Sequence, residues 1–512
     1  MKTPILGSSY VARSINAADA RMVNLFPEIV PEAGKEPAFL NRAPGLNLLN
    51  TIGNGPIRGL WAFSSNDGTG FVVSGTQLFK INNAYTPTLI GTVAGTGPVS
   101  MADNGTQLFI AANGPSYIYN ANTNAFGQIT DPDFPGAVTV AYLDGYFVFN
   151  EPNSQKMWVT ALLDGTSIDP LEFASTEGSP DGLVAVIANF REVWAFGTNS
   201  IEVWSDTAAL DFPLERIPGA FNELGCAAPY SIAKMDNGLF WLGRDRRGQG
   251  MVYRANGYAG QRISTHAVEW QIQQYADITD AIAYTYQQDG HSFYVLIFPT
   301  ANTTWVYDVA TQAWHERAGF TNGQFTRHRS NCQMSFNNKI VVGDFENGNI
   351  YSFDLEDYSD NGQIQKWLRS WRALPTGQNN LKRTAHHSLQ LDCESGVGLT
   401  GSMIAEPIYL QTEDNDFLIT ESNDYLIADQ QTVITQGSDP QVMLRWSDDG
   451  GHTWSNEHWV SIGKIGEYYR RAIWRRLGMT LKLRDRVYEV SGTDPVKIAI
   501  MGAELILSPT NA

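Results

Sequence analysis

A polar turn followed by a very apolar strand recurs seven times along this chain: NDGTGFVVSG, DNGTQLFIAAN, LDGYFVFNE, NFREVWAFG, DNGLFWLGR, QDGHSFYVLIF and NNKIVVGDF. With Asp67, Asn104, Asp144, Asn189, Asn237, Asp289 and Asn337 as turn markers, the spacings are 37, 40, 45, 48, 52 and 48 residues. Self-similarity at that period marks stacked repeats. Partner strands follow each copy (QLFKIN, SYIYNAN, KMWVTA, SIEVWSD, GMVYRAN, TWVYDVA, NIYSFDL), and in several of them apolar and polar residues alternate as in a half-buried antiparallel strand. The Asn-Gly and Asp-Gly turns supply the positive φ that two-residue hairpins require. A lone four-stranded blade cannot bury both faces, so blades stack around an axis and the ring closes. The expected fold class is all-β: a β-propeller of seven blades, or six with a degenerate seventh unit, followed by a C-terminal β-sandwich.

The seventh copy runs into a polar loop before a fourth strand forms, whereas PAFLNRAPGLNLLNTIG, ahead of the first copy, reads as an outer strand without a blade. Residues near Pro37 to Ile52 are therefore expected to pair with the last blade. After about Ser359 the repeat stops. HHSLQLDCESG, QVMLRWSDDGGHTWSNEHWVSIG, RRAIWRRLG, LKLRDRVYEVSG and VKIAIMGAELIL read as sandwich strands separated by Gly turns. The expected layout is an extended segment at 1–36, the propeller at 37–358 and the sandwich at 359–512, with an acidic insertion at about 406–437. In that insertion NDFLI and NDYLI nearly repeat; it reads either as a hairpin-like arm for a neighbouring subunit or partner, or as a surface loop. One helix is expected in THAVEWQIQQYADI, with Thr265 as N-cap and Val268, Ile272 and Tyr275 on one face.

Hydrophobic residues make up 43% and charged residues 17%, enough apolar content for a sizeable core. The net charge of -18 works against nucleic-acid affinity, because a binder must neutralise phosphates spaced about every 1.7 Å along a duplex. DNA could still pass beside such a surface. Cys226, Cys332 and Cys393 are far apart and form no C-x-x-C pair, which favours buried free thiols over a disulfide framework or a zinc site. No apolar run approaches the ~18 residues of a membrane span, and the N-terminus lacks the apolar core of a secretory signal. A soluble protein from a reducing compartment is expected.

One motif invites an enzymatic reading. In WSDDGGHTW, Ser447, Asp449, Gly451, Thr453 and Trp454 resemble the Asp box of sialidases and other propeller glycosidases. Those propellers carry the box in successive blades, whereas here it occurs once and outside the repeat. It reads as a structural turn whose carboxylate bonds backbone N–H groups while Trp446 and Trp454 pack beside it. No convergent carboxylate pair is evident. Gly53, Gly55 and Gly59 in GNGPIRG lack the Lys-Ser/Thr of a phosphate loop. His386 and His387 are neighbours on a strand and face opposite sides, a poor arrangement for joint metal ligation. No catalytic, cofactor-binding or metal-binding residues are expected, no cofactor, and no enzymatic activity. A basic run, Lys464, Arg470, Arg471, Arg475, Arg476, Lys482, Arg484 and Arg486, stands out against the acidic background, with Glu467, Asp485 and Glu489 inside it to pair across strands. Arg470, Arg471, Arg475 and Arg476 are the candidate partner-docking face; a solvated face and phosphate contact are the alternatives.

The opening segment SSYVARSINAADARMVNLFPEIVPEAGKEPAFLNRAPGL resembles the start of the packaged-DNA stabilisation proteins of short-tailed phages, also described as tail hub or nozzle proteins. The resemblance continues through ELGCAAPYSIAKMDNGLFWLGRDRRGQGMVYRANGY, RISTHAVEW and LRWSDDGGHTWS…RRAIWRRLG…RDRVYEVSGTDPVKIAIMGAEL, and so spans nearly the whole chain. It implies a virion tail protein, assembled in the host bacterial cytoplasm as a hexamer below the portal and its adaptor ring. Such a protein extends the DNA conduit, retains the packaged genome, supports ejection and carries tail fibres or tailspikes, with double-stranded DNA passing without specific binding. The alternative function is a propeller glycosidase or carbohydrate-binding protein acting on host surface glycans. A third is a cellular propeller scaffold, which needs only the repeat.

Overall fold

The computed structural model describes the chain except positions 33, 65–67, 177, 210–211, 245–247, 376, 379–381, 401–403, 410–426, 434–435, 482–484 and 511–512; of the strands Ile404–Tyr409 and Ile427–Val433 only the backbone is described. Two compact units emerge. One combines Gly7–Pro27 with Ala43–Gln363, the other Met1–Leu6 and Glu28–Arg42 with Ile364–Ala512.

The first unit contains seven antiparallel blades. Blade 1 runs from its inner strand Ile57–Ala62 through Gly70–Ser74 and Gln77–Ile81 to its outer strand Pro87–Thr92. Blades 2, 3 and 4 start at Ser100–Asp103, Val140–Leu143 and Leu183–Asn189, and blades 6 and 7 at Ile282–Gln288 and Ser330–Phe336. In blade 5 the inner position is shared by Gly225–Cys226 and Ala233–Met235, both paired with Gly238–Arg244. The fourth strand of blade 7 comes from the other end of the sequence: Gly45–Thr51 pairs antiparallel with Asn349–Asp354. The neighbouring strand Ala38–Arg42 has a different partner, Ala499–Pro509 of the second unit. Residues 1–36, read from the sequence as one extended segment, are likewise divided between the units, because their hydrogen-bond partners differ. Ser8 bonds Trp314, while Thr3 bonds Ala503.

The blades pack through seven apolar clusters, each shared by two neighbours, and the last joins blade 7 to blade 1 through Val341, Ile350, Ile57 and Val72. Strand periodicity explains how one strand serves two clusters. In Gln107–Ala111, Leu108 and Ile110 join the blade 1–2 cluster, while Phe109 turns the other way to Phe147 and Phe149 of blade 3, at ring distances of 5.5 and 5.9 Å. Covered on both faces, these second strands are apolar almost throughout.

The repeated turns adopt the expected left-handed geometry at Asp144, Asp236–Asn237, Asp289 and Asn337–Asn338. In blade 4 the positive φ falls on Phe190 and Arg191, one residue beyond the marker Asn189, and in blade 2 on Gly105. Asp67 lies outside the described residues. The helix is shorter than its sequence pattern: it spans His266–Ile272, with Thr265 accepting from the Val268 amide. Past it, Asp277 captures the Thr279 amide and starts a turn instead. Val268 and Ile272 pack with blades 5 and 6.

In the second unit one sheet orders Ala38–Arg42, Ala499–Pro509, Thr384–Cys393 and Ala472–Met479, and another orders Trp367–Arg372, Val487–Gly492, Gln441–Ser447 and His458–Ser461. His386 of the first sheet meets the Tyr488 hydroxyl of the second at 2.6 Å. Two buried arginines add to this unit's connections. Arg42 donates to the carbonyls of Gln365, Asp494 and Val496, and Arg369 to that of Ile5. Ile404–Tyr409 and Ile427–Val433 pair antiparallel; the NDFLI and NDYLI segments between them fall mostly outside the described residues.

Candidate functional site

The inner strands of all seven blades enclose a cavity of about 590 Å³, to which Leu60, Met101, Val140, Ile187, Ile232, Tyr284 and Cys332 contribute one from each blade. Among the described residues its lining holds one carboxylate, Asp103, and that group already accepts from the Trp61 indole N–H at 2.6 Å and from Ser64. The carboxylate pair that most glycosidases use is not assembled there. Arg58 at the cavity donates to the carbonyls of Gly75, Val93, Ala94 and Gly97 at 2.6–3.1 Å, so it clasps a loop; burial lowers its pKa.

The Asp-box residues converge in the second unit. Ser447 Oγ donates to Asp449 Oδ1 at 2.6 Å and accepts from the Gly451 amide at 2.8 Å. Asp449 also accepts from the Thr453 amide at 2.8 Å and the Thr453 hydroxyl at 2.6 Å, and these bonds hold its pKa well below the usual carboxylate range. Arg445 lies over the Trp454 ring at 4.7 Å, and Trp446 stacks on His458 at 4.9 Å. A carboxylate so committed to its own turn is a poor proton shuttle.

The basic run splits. Arg486 is buried and makes a two-toothed pair with Asp448 at 2.7 and 2.8 Å. Glu489 and Asp485, expected to neutralise the run, pair instead with Arg445, which strand register places opposite Glu489, and with Arg372, whose strand partner Val487 lies two residues from Asp485. Arg470 reaches Glu467 at 3.7 Å, and Arg471, Arg475 and Arg476 are exposed with no ion pair among the described residues. Lys482 and Arg484 lie outside the described residues. His386 is buried and His387 exposed, on opposite faces of their strand.

One buried polar group had no sequence signal. In blade 6, His291 Nδ1 meets Asp308 Oδ2 at 2.8 Å; in blade 7, His328 Nδ1 meets Ser330 Oγ at 2.7 Å, and the same hydroxyl meets Tyr284 OH at 2.6 Å. Burial pushes the His328 pKa down to about 3 and that of His315 well below its ordinary value. His291 and Asp308 come from separate strands, and His328 and Ser330, though two residues apart, meet Tyr284 from another blade; no motif spacing reveals either contact.

A family model described as the bacteriophage P22 Gp10 β-propeller matches residues 1–358, and one described as the P22 Gp10 β-sandwich matches residues 414–507. The tail hub protein gp10 of Salmonella phage P22 is 23% identical over 288 residues, covering 53% of this chain and 59% of that protein, so the match spans a little over half of the relative. Among solved structures, virginiamycin B lyase from Staphylococcus aureus is 12% identical with a TM-score of 0.40, covering 60% of this chain and 97% of that one. The Neurospora crassa Pan2 WD40 domain is 8% identical with a TM-score of 0.37, covering 58% and 89%. Likenesses that distant carry no functional argument. Matched over 358 of its 512 residues, the chain belongs to the bacteriophage P22 Gp10 family of tail hub proteins, structural proteins of the phage tail.

Proposed function

We propose that copies of this chain form a hexameric nozzle below the portal and adaptor of the virion, extending the DNA conduit, retaining the packaged genome and supporting its ejection. The observation that carries this reading is the size of the propeller's axial cavity. A space of about 590 Å³ is roughly 10–13 Å across, less than the ~16 Å that the depths of the major and minor grooves together span in a duplex. A duplex cannot pass through one propeller, so a conduit built from this chain must lie among several copies. The net charge of -18 supports passage without capture, since an acidic wall neither grips phosphates nor slows their movement. The adaptor above, and tail fibres or tailspikes alongside, are the protein partners in this reading, and the virion tail, assembled in the host cytoplasm, is its location.

Native mass spectrometry and imaging of virions test it together. Six copies around the DNA axis are expected; a chain that stays monomeric at high concentration and is absent from the tail overturns it. Particles assembled without the chain should package DNA and then lose it.

A further inference from the structure

Charge is unevenly distributed along the chain. Residues 81–190, which include blades 2 and 3, hold ten carboxylates and one cation, Lys156; residues 464–486 hold eight cations and two carboxylates. Each stretch also exposes large apolar side chains. In blade 3, the loop between Lys156–Val159 and Phe173–Ser175 presents Leu162, Leu163 and Leu171 at 60, 61 and 81% exposure. Leu163 is held at a φ of 60°, a conformation costly for a branched side chain. Asp169 and Glu172 sit in the same loop with no ion pair among the described residues, and Asp169 adds to the upward push that burial exerts on the Glu172 carboxyl.

In the second unit the loop between His458–Ser461 and Ala472–Met479 exposes Ile465, Tyr468 and Tyr469 at 58, 76 and 80%. Arg470 and Arg471 end that loop, and Arg475 and Arg476 follow on a strand at the edge of its sheet. An apolar patch flanked by carboxylates and an apolar patch flanked by arginines thus lie exposed on different units of one chain. Aromatic residues and arginine are the types enriched at protein interfaces.

We infer that these patches dock on each other between copies: the Tyr468–Tyr469 arginine face of one copy seats on the Leu162–Leu171 acidic loop of the next. Two different surfaces in contact make a heterologous, head-to-tail interface, the kind that propagates into a closed ring. Arg471, Arg475 and Arg476, which make no ion pair among the described residues, supply the cations that the blade 3 loop lacks, and the apolar residues supply the desolvated centre. This inference rests on the ring reading above and adds the surfaces that make it.

The test uses two full-length variants and native mass spectrometry with sedimentation. Arg471→Glu/Arg475→Glu spoils the basic face, and Asp169→Lys/Glu172→Lys spoils the acidic loop. Each alone should associate at least about tenfold more weakly than wild type, because like charges then meet. An equimolar mixture should regain the wild-type oligomer with the variants alternating, since each altered surface finds an opposite one. Circular dichroism confirms folding, and Arg471→Gln/Arg475→Gln gives a gentler version should the reversal unfold. If both variants alone keep the wild-type oligomer, or the mixture fails to recover it, these surfaces are not the contact although the ring stands. If the basic-face variant assembles normally yet loses a different acidic tail protein, the inference is likewise overturned. A wild-type chain that never oligomerises removes the ring reading itself.

Discussion

The propeller unit and the sandwich unit bury comparable chemistry by different means. Each blade of the propeller repeats one arrangement, an apolar strand whose alternate residues serve two neighbours, so its stability is distributed over seven like junctions. The sandwich unit packs its apolar core without that repeat and adds single polar connections, such as Arg42 on three carbonyls and His386 on Tyr488, of the kind Arg58 makes in the propeller. A repeated apolar junction tolerates a local defect better than a buried guanidinium tolerates removal, because unpaired buried carbonyls retain their full desolvation cost.

That contrast can be broken experimentally. Arg42→Ala should cost about 3–5 kcal/mol and melt the sandwich unit in a separate transition, since three carbonyls lose their donor; calorimetry with one unaltered transition would erase the distinction. Phe109→Ala should cost about 3–4 kcal/mol by opening a cavity between blades 2 and 3, with the loss confined to the propeller transition in chemical denaturation.

Acid sharpens the comparison because each unit contains a buried neutral histidine. The folded pKa values of His328 and His386 are pushed down to about 3, with burial the main cause, so between roughly pH 6.5 and 3 the unfolded chain binds more protons than the folded one. Stability should be fully present above about pH 6.5 and fall as pH drops, by about 1.4 kcal/mol per pH unit for each histidine. His328→Asn should make the acid transition of the propeller alone shallower, with His315 still contributing, and His386→Gln should do so for the sandwich; one shared shift would show that the units unfold together. Asp449→Ala should lower sandwich stability by about 1–2 kcal/mol through the lost turn bonds, read by thermal melting, and leave assembly intact. The smallest effect is a gain: Phe190→Asn, at a φ of 52°, should stabilise blade 4 by about 0.5–1 kcal/mol in urea unfolding.

The seven apolar strands and their turns were legible because period-two alternation and left-handed turn residues are local requirements, written into adjacent positions. Asp449 was legible for the same reason, its partners Ser447 and Thr453 lying within four residues. The His291–Asp308 and His328–Ser330–Tyr284 contacts were not. Asp308 lies on a different strand from His291 and Tyr284 on a different blade from His328 and Ser330, and single histidines in an apolar background carry no spacing. The basic run was legible as charge but not as a surface, because the fold gave Asp485 and Glu489 to Arg372 and Arg445 and left Arg471, Arg475 and Arg476 exposed, with no ion pair among the described residues.

The repeat, the hairpin turns, the change of architecture after the seventh copy and the acidic balance are all properties of neighbouring residues or of their sum, and the chain's order of residues suffices for them. That Gly45–Thr51 completes blade 7 while Ala38–Arg42 pairs with Ala499–Pro509 follows from long-range folding instead. Both segments are short strands of similar character, and what separates them is which unpaired edge each can reach across hundreds of residues, a matter of chain closure that no local pattern encodes.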